Sequence, residues 1–159
     1  MKLPPFSLTS LEAQETASTR MMDAWWSLGQ VMKRHVVPVL EREHNMDFGD
    51  FMVLSAIDRG ANYPTELCSL TTIPASGISR MLENLTKHNI VKRTLDTEDS
   101  RRVRIEITPK GYEALAAARE TMLGMIEQGL ATLPIDQVNS FIDTMMHLSA
   151  TIAKTRETA

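Results

Sequence analysis

A single cysteine in 159 residues excludes an internal disulfide, so the fold has to rest on a packed core. Aromatic residues are scarce at 5% of the chain, and its 43% apolar content comes mostly from aliphatic side chains and eleven methionines. That is enough for one sizeable core. No apolar run approaches the roughly 20 residues that a membrane-spanning helix requires. The start, Met1-Lys2-Leu3-Pro4-Pro5, lacks the apolar centre of a secretory signal. We therefore expect a cytoplasmic protein with no membrane partner. Also missing are a Gly-rich phosphate loop, a nucleophile elbow, paired Cys or His ligands and a Ser/His/Asp grouping. Those absences argue against catalysis and predict no cofactor and no metal. Glu41 and His44 have the i,i+3 spacing that sets two ligands on one helical face, but two ligands do not make a site. Cys68, beside Leu67 and Leu70, reads as a buried structural cysteine.

What is present concentrates between Pro74 and Gly111. A helix is predicted to begin around Pro74, whose fixed φ and missing N–H suit a first turn. Ile78, Met81, Leu82 and Leu85 then recur on one face, which should be buried. At 100° per residue the opposite face carries Ser76, Arg80, Glu83 and Lys87, with Ser79 beside Arg80 near the N-terminal end. Serine and lysine suit phosphates, and arginine suits either a phosphate or the O6 and N7 of guanine in a major groove about 12 Å wide. A solvated surface helix would carry the same residue types. Asn89, tolerant of the left-handed conformation, should cap the helix. Ile90 to Leu95 then reads as a strand, residues 96–102 as a polar turn, and Val103-Arg104-Ile105-Glu106-Ile107 as a second, half-buried strand. Arg101 and Arg102 at the tip can reach a minor groove or its phosphates, with Asp99 placed to brace one guanidinium. A helix followed by a cation-tipped hairpin is the order of a winged helix, a device for reading DNA.

Charge supports this. The chain carries −3 overall, yet residues 80–110 hold eight Lys and Arg against five Asp and Glu, a local +3 that leaves −6 elsewhere. Positive potential is therefore expected on one face of the molecule, as binding to one side of a duplex requires.

At Asp99-Ser100-Arg101 followed by Ile107-Thr108-Pro109-Lys110-Gly111, the sequence resembles the MarR family of bacterial transcription regulators, whose wing carries Asp-x-Arg and whose next helix opens with a Leu-Thr-x-x-Gly-like motif. Glu66-Leu67-Cys68 is similar to the family's first helix-turn-helix element, and Ile78-Ser79-Arg80 to its recognition helix. The resemblance covers about a third of the chain well. Asn89 stands where the family usually has Gly, Ser100 where it often has a basic residue, and Thr71-Thr72 is an unusual helix ending.

The flanks read as helices. Met21, Met22, Trp25, Leu28, Met32 and Val36 recur at helical spacing from Thr16 to Val37, where Pro38 kinks or ends the pattern. A further helix is expected over 47–58, with Phe48, Phe51, Met52, Leu54 and Ile57 as its apolar side. Pro64 opens the next, and Ile73-Pro74 marks the turn between the two helices of the motif. After the wing, Pro109 opens a long helix carrying Tyr112, Leu115, Met122, Met125, Ile126 and Leu130. Pro134 separates it from one carrying Val138, Phe141, Ile142, Met145, Leu148 and Ile152. Such stripes at both chain ends predict a homodimer, the alternative being a monomeric bundle in which they cover one another.

The expected fold class is mainly α with a small β-hairpin wing: a winged helix-turn-helix plus N- and C-terminal dimerisation helices. It forms a single unit over 1–159, with a DNA-binding lobe at 47–110 and a helical dimerisation region at 8–45 and 111–156. The resemblance implies double-stranded DNA as partner, repression, and a small aromatic or phenolic ligand where the dimerisation helices meet the lobe. Trp25, Trp26, Met32 and His35 are candidates to line that site, although core packing explains them equally. The rival reading is a winged helix that binds protein rather than DNA.

Overall fold

The computed structural model describes residues 17–96, 99 and 102–157; among them lie seven α-helices and one hairpin. Helix α1 (Ala17–Val31) runs through a five-residue π-helical segment (Met32–Val36) into α2 (Val37–His44). Then come α3 (Phe48–Asp58), α4 (Pro64–Thr71), α5 (Ala75–Lys87), β1 (Val91–Leu95), β2 (Val103–Ile107), α6 (Pro109–Leu130) and α7 (Ile135–Glu157). By internal packing the chain divides after Arg119. The first unit contains everything up to the middle of α6. The second holds the end of α6 and all of α7.

Pro38 does not end the helical run. Its ring displaces the carbonyl four residues earlier and it has no N–H to give. The helix widens instead, and Val37 donates to the Met32 carbonyl five residues back before α-helical geometry resumes. Asn45, at φ 48°, ends α2. Asp47 then caps α3, its carboxylate accepting from the Asp50 N–H at 2.7 Å.

The core of the first unit gathers Leu40, Val53, Leu54, Leu67, Ile78, Leu82, Val91, Ile105 and Leu115, all essentially inaccessible. Helix α3 buries Val53 and Ala56 along with the expected Leu54 and Ile57, whereas Phe48 and Met52 are exposed at its rim. The expected stripe was drawn too wide on one side, because α3 meets α4, α5 and β2 on a face centred on Val53. Cys68 is half-buried rather than fully packed.

Helix α5 ends in a Schellman turn: Ile90 donates to the Leu85 carbonyl at 2.8 Å and Asn89 to that of Thr86 at 3.0 Å, with Asn89 at φ 58°. Strands β1 and β2 pair antiparallel, Val91 opposite Ile107 and Leu95 opposite Val103. Thr108, buried, then ties the ends together. Its hydroxyl donates to the Asn89 carbonyl at 2.7 Å and accepts from the Gly111 N–H at 3.0 Å. Its own N–H donates to the Ile90 carbonyl at 3.0 Å. Gly111 is required by this contact, since a Cβ there would lie 2.1 Å from the Ile90 oxygen.

These backbone positions can be tested through stability. Gly111→Ala forces two main chains apart and should destabilise the fold by about 2–3 kcal/mol, read as a lowered urea midpoint. Thr72, a β-branched residue at φ 58° in the turn after α4, carries a steric cost that glycine lacks. Thr72→Gly should therefore raise the midpoint by about 1 kcal/mol equivalent; a lowered midpoint would show that the Thr72 hydroxyl's bond to the Thr71 carbonyl outweighs the strain.

Candidate nucleic-acid interface

Helix α5 is the most strongly two-faced element of the chain. Pro74, with ψ 151°, is its N-cap, so the first helical residue is Ala75, one later than Pro74 itself. Ile78, Leu82 and Leu85 point into the core, and Met81, half-buried, packs its methyl over Gly49. That orientation leaves Ser76, Ser79, Arg80, Glu83 and Lys87 exposed on the outer surface. A three-residue turn, Thr72-Ile73-Pro74, joins α4 to α5; the Thr71 hydroxyl donates back to the Leu67 carbonyl at 2.6 Å and accepts from the Ile73 N–H of the turn at 3.4 Å.

The hairpin's polar face carries Lys92 and Thr94 on β1 opposite Glu106 and Arg104 on β2. Glu106 bonds the Lys92 ammonium at 2.8 Å and lies 3.8 Å from Arg104. The Lys92 contact holds its carboxyl below the usual range, and Arg104 and the Thr94 hydroxyl act in the same direction. The wing's positive field is thus partly countered at its centre. On the other face Val91, Ile105 and Ile107 are buried, while Leu95 and Val103 extend past the core and are exposed. Arg101 lies outside the described residues, as do Thr97, Glu98 and Ser100.

Arg102 and Asp99 take roles at the outer end of the strands, where the wing's loop begins. The Arg102 guanidinium stacks on the Tyr63 ring, 3.8 Å from its centre. Asp99 is engaged through its backbone: its N–H donates to Asp96 Oδ1 at 3.1 Å and its carbonyl accepts from Arg102 at 2.9 Å. Asp96 Oδ2 accepts a short hydrogen bond from the Tyr63 hydroxyl. Sequence reading missed Tyr63 altogether and saw Asp96 only as a turn residue. Thirty-three positions separate the two, and no local pattern announces such a pairing.

Of the four candidate ligand residues, Trp25 and Trp26 are 59% and 54% exposed on α1, His35 is exposed and Met32 half-buried in the π-helical segment. Sequence reading also missed a cavity of about 220 Å³ behind the C-terminal end of α5, where Met46, Asp50, Leu85, His88, Ile90 and Ala114 converge. No cluster of metal-ligating side chains occurs among the described residues, and no described helix is long and apolar enough to cross a membrane.

A helix-turn-helix followed by a hairpin that packs beside its second helix defines a winged helix-turn-helix protein. Residues 35–117 match the family model described as transcriptional regulator SarA/Rot, and the chain belongs to that family. Solved structures agree on the fold. MarR of Staphylococcus aureus in complex with salicylate and kanamycin aligns with a TM-score of 0.76 at 19% identity, covering 86% of this chain and 93% of that one. A cysteine-to-serine mutant of Escherichia coli MarR complexed with operator DNA aligns at 0.69 and 18%, covering 86% and 99%. The regulator BldR of Sulfolobus solfataricus aligns at 0.66 and 19%, covering 83% and 98%. The architecture is therefore of MarR type. Curated protein sequences show no significant match.

Asp50 supplies a pH test of the support beneath α5. Burial, reinforced by the Asp47 charge, pushes its carboxyl up to about 6, against the pull of the Asp47 N–H and of His88. A raised folded-state value means that the stabilising contribution is complete below the unfolded value near 4 and is lost as pH rises through about 6. Asn keeps the acceptor for the Asp47 N–H without the charge. Asp50→Asn should thus gain stability relative to wild type between about pH 4.5 and 7; urea midpoints that stay parallel across that range would show that Asp50 does not titrate there.

Proposed function

We propose that this chain is a sequence-specific regulator that binds double-stranded DNA as a homodimer on a pseudo-palindromic operator, most simply as a repressor released by a small ligand. One observation carries the reading: α5 holds Ser76, Ser79, Arg80, Glu83 and Lys87 outward on a helix whose opposite face is locked into the core beside a cationic hairpin. A major groove accepts such a helix, and base edges and phosphates match its side chains. Arg101 is assigned to the wing's minor-groove or phosphate contact, with Asp99 and Arg102 supporting it where the loop meets the strands.

Dimerisation is supported by the apolar side chains that α1 and α7 leave in solvent, among them Leu28, Phe141, Met146 and Ile152. Exposed apolar surface of this kind is what a second copy covers. We assign 8–45 and 111–156 to this role and 47–110 to DNA. Two-fold symmetry would set the recognition helices roughly 34 Å apart, one turn of DNA. Trp25, Trp26, Met32 and His35 are proposed to receive an aromatic or phenolic ligand, a class consistent with the salicylate complex of S. aureus MarR.

Selection of duplexes from a random-sequence pool, followed by mobility-shift titration at two salt concentrations, tests the reading. The expected result is a two-fold-symmetric consensus and an affinity that falls steeply with salt. Arg80→Ala should cost about 1–3 kcal/mol and relax specificity at one base pair, while Arg101→Ala should weaken all duplexes and flatten the salt slope by about one unit. A folded dimer that selects no duplex would move the assignment to a protein-binding winged helix.

A further inference from the structure

Isolated two-stranded hairpins are marginal in water, and the wing here is one. What holds it comes from the corner between α3 and α4. The Asn62 carbonyl accepts from the Ile105 N–H at 2.8 Å, adding one bond of a third strand to β2. The next residue, Tyr63, is fixed at the start of α4 by its own N–H donating to Glu66 Oε2 at 3.1 Å. Its side chain grips both sides of the hairpin where the loop leaves the strands. The hydroxyl bonds Asp96, just past the end of β1, and the ring lies under Arg102, just before β2 begins. Asp96 is the common fastening: Oδ2 receives the phenol, Oδ1 the Asp99 N–H, and its own N–H donates to the Arg102 carbonyl at 3.0 Å.

We propose that Tyr63 is the positioning residue of the wing, clamping Asp96 and Arg102 to the helix-turn-helix so that the tip meets DNA at a fixed place; this rests on the DNA-binding reading above. Arg102 is then a brace, its guanidinium held on the ring, and the reach toward DNA falls to the tip beyond it. A pre-placed wing loses less conformational freedom on binding than a swinging one, so the clamp adds affinity without touching DNA. It also ties wing placement to the first helix of the motif. A tyrosine hydroxyl donating to a carboxylate resists losing its proton, and Tyr63 is raised above the ordinary phenol range, first by the Asp96 bond.

Two measurements on the full-length protein test this. In the first, ζ-¹³C-tyrosine labelling reports two signals, from Tyr63 and Tyr112. The Tyr63 titration midpoint should drop in Asp96→Asn, and an unchanged midpoint overturns the clamp. In the second, hydroxyl-radical footprints on the duplex selected by wild type separate the two DNA contacts. Tyr63→Leu should keep the central protections made by α5, lose those on the flanks and bind about tenfold more weakly. Tyr63→Phe, which retains the ring beneath Arg102, should lose less. Wild-type flank protection and affinity in a folded Tyr63→Leu protein would overturn the positioning role alone. A wild-type chain that selects no duplex overturns the DNA reading and the positioning role together, whatever the tyrosine titration shows.

Discussion

The rest of the structure depends on one close approach of two main chains, where the first turn of α6 meets the carbonyl of Ile90. Recognition helix, wing and α6 all pass through this point within a few residues. The Thr108 hydroxyl receives the Gly111 N–H and donates to Asn89, and the Lys110 ammonium bonds the His88 carbonyl at 3.0 Å. Each bond satisfies a backbone group that a helix end or strand end would otherwise leave bare. The junction closes only because Gly111 has no Cβ and Asn89 accepts a positive φ. The exit of α5, the start of β1, the end of β2 and the start of α6 are consequently one mechanical unit, and the outward face of α5 inherits its direction from it.

The wing relies on this junction at its inner end and on a different kind of constraint at its outer end. Near the junction the two strands bury Val91, Ile105 and Ile107, and apolar packing decides their register. Farther out the core stops, Leu95 and Val103 are exposed, and packing can no longer hold the strands against the body. Contacts of specific geometry take over there, from Tyr63 on one side and Asp96 and Arg102 on the other. The change of mechanism along one short hairpin explains why its base and its tip obey different sequence rules.

That difference also separates what the sequence disclosed from what it concealed. Helix α5, both strands and the Asn89 cap were legible because each is encoded within a few neighbouring residues: a 3.6-residue period, an alternation, a residue tolerant of positive φ. Thr108 and Gly111 were legible as a motif, though their reason is visible only in the contact with Ile90. Hidden were the features that need distant partners. Nothing local indicates the ring, 39 positions earlier in the chain, that lies beneath the Arg102 guanidinium. On α3, periodicity alone included Phe48 and Met52 because it cannot know where the facing helices end. Pro38 signalled a disturbance, and the form it takes, a helix widened into a π-helical segment, has no local sequence signature.

On the proposed function, α6 is the element through which the two kinds of surface must communicate. It begins at the junction that fixes α5 and runs unbroken past Arg119 into the second unit, whose exposed apolar side chains are assigned to the partner subunit. An effector alters DNA affinity only by as much as its binding energy differs between two dimer geometries. At the Thr108–Gly111 junction the bonds are short and the main chains touch, so α5 and the first turn of α6 are held to one another with little slack. The same tight junction that sets the direction of the outer face of α5 is therefore, on the proposed function, a requirement for DNA binding.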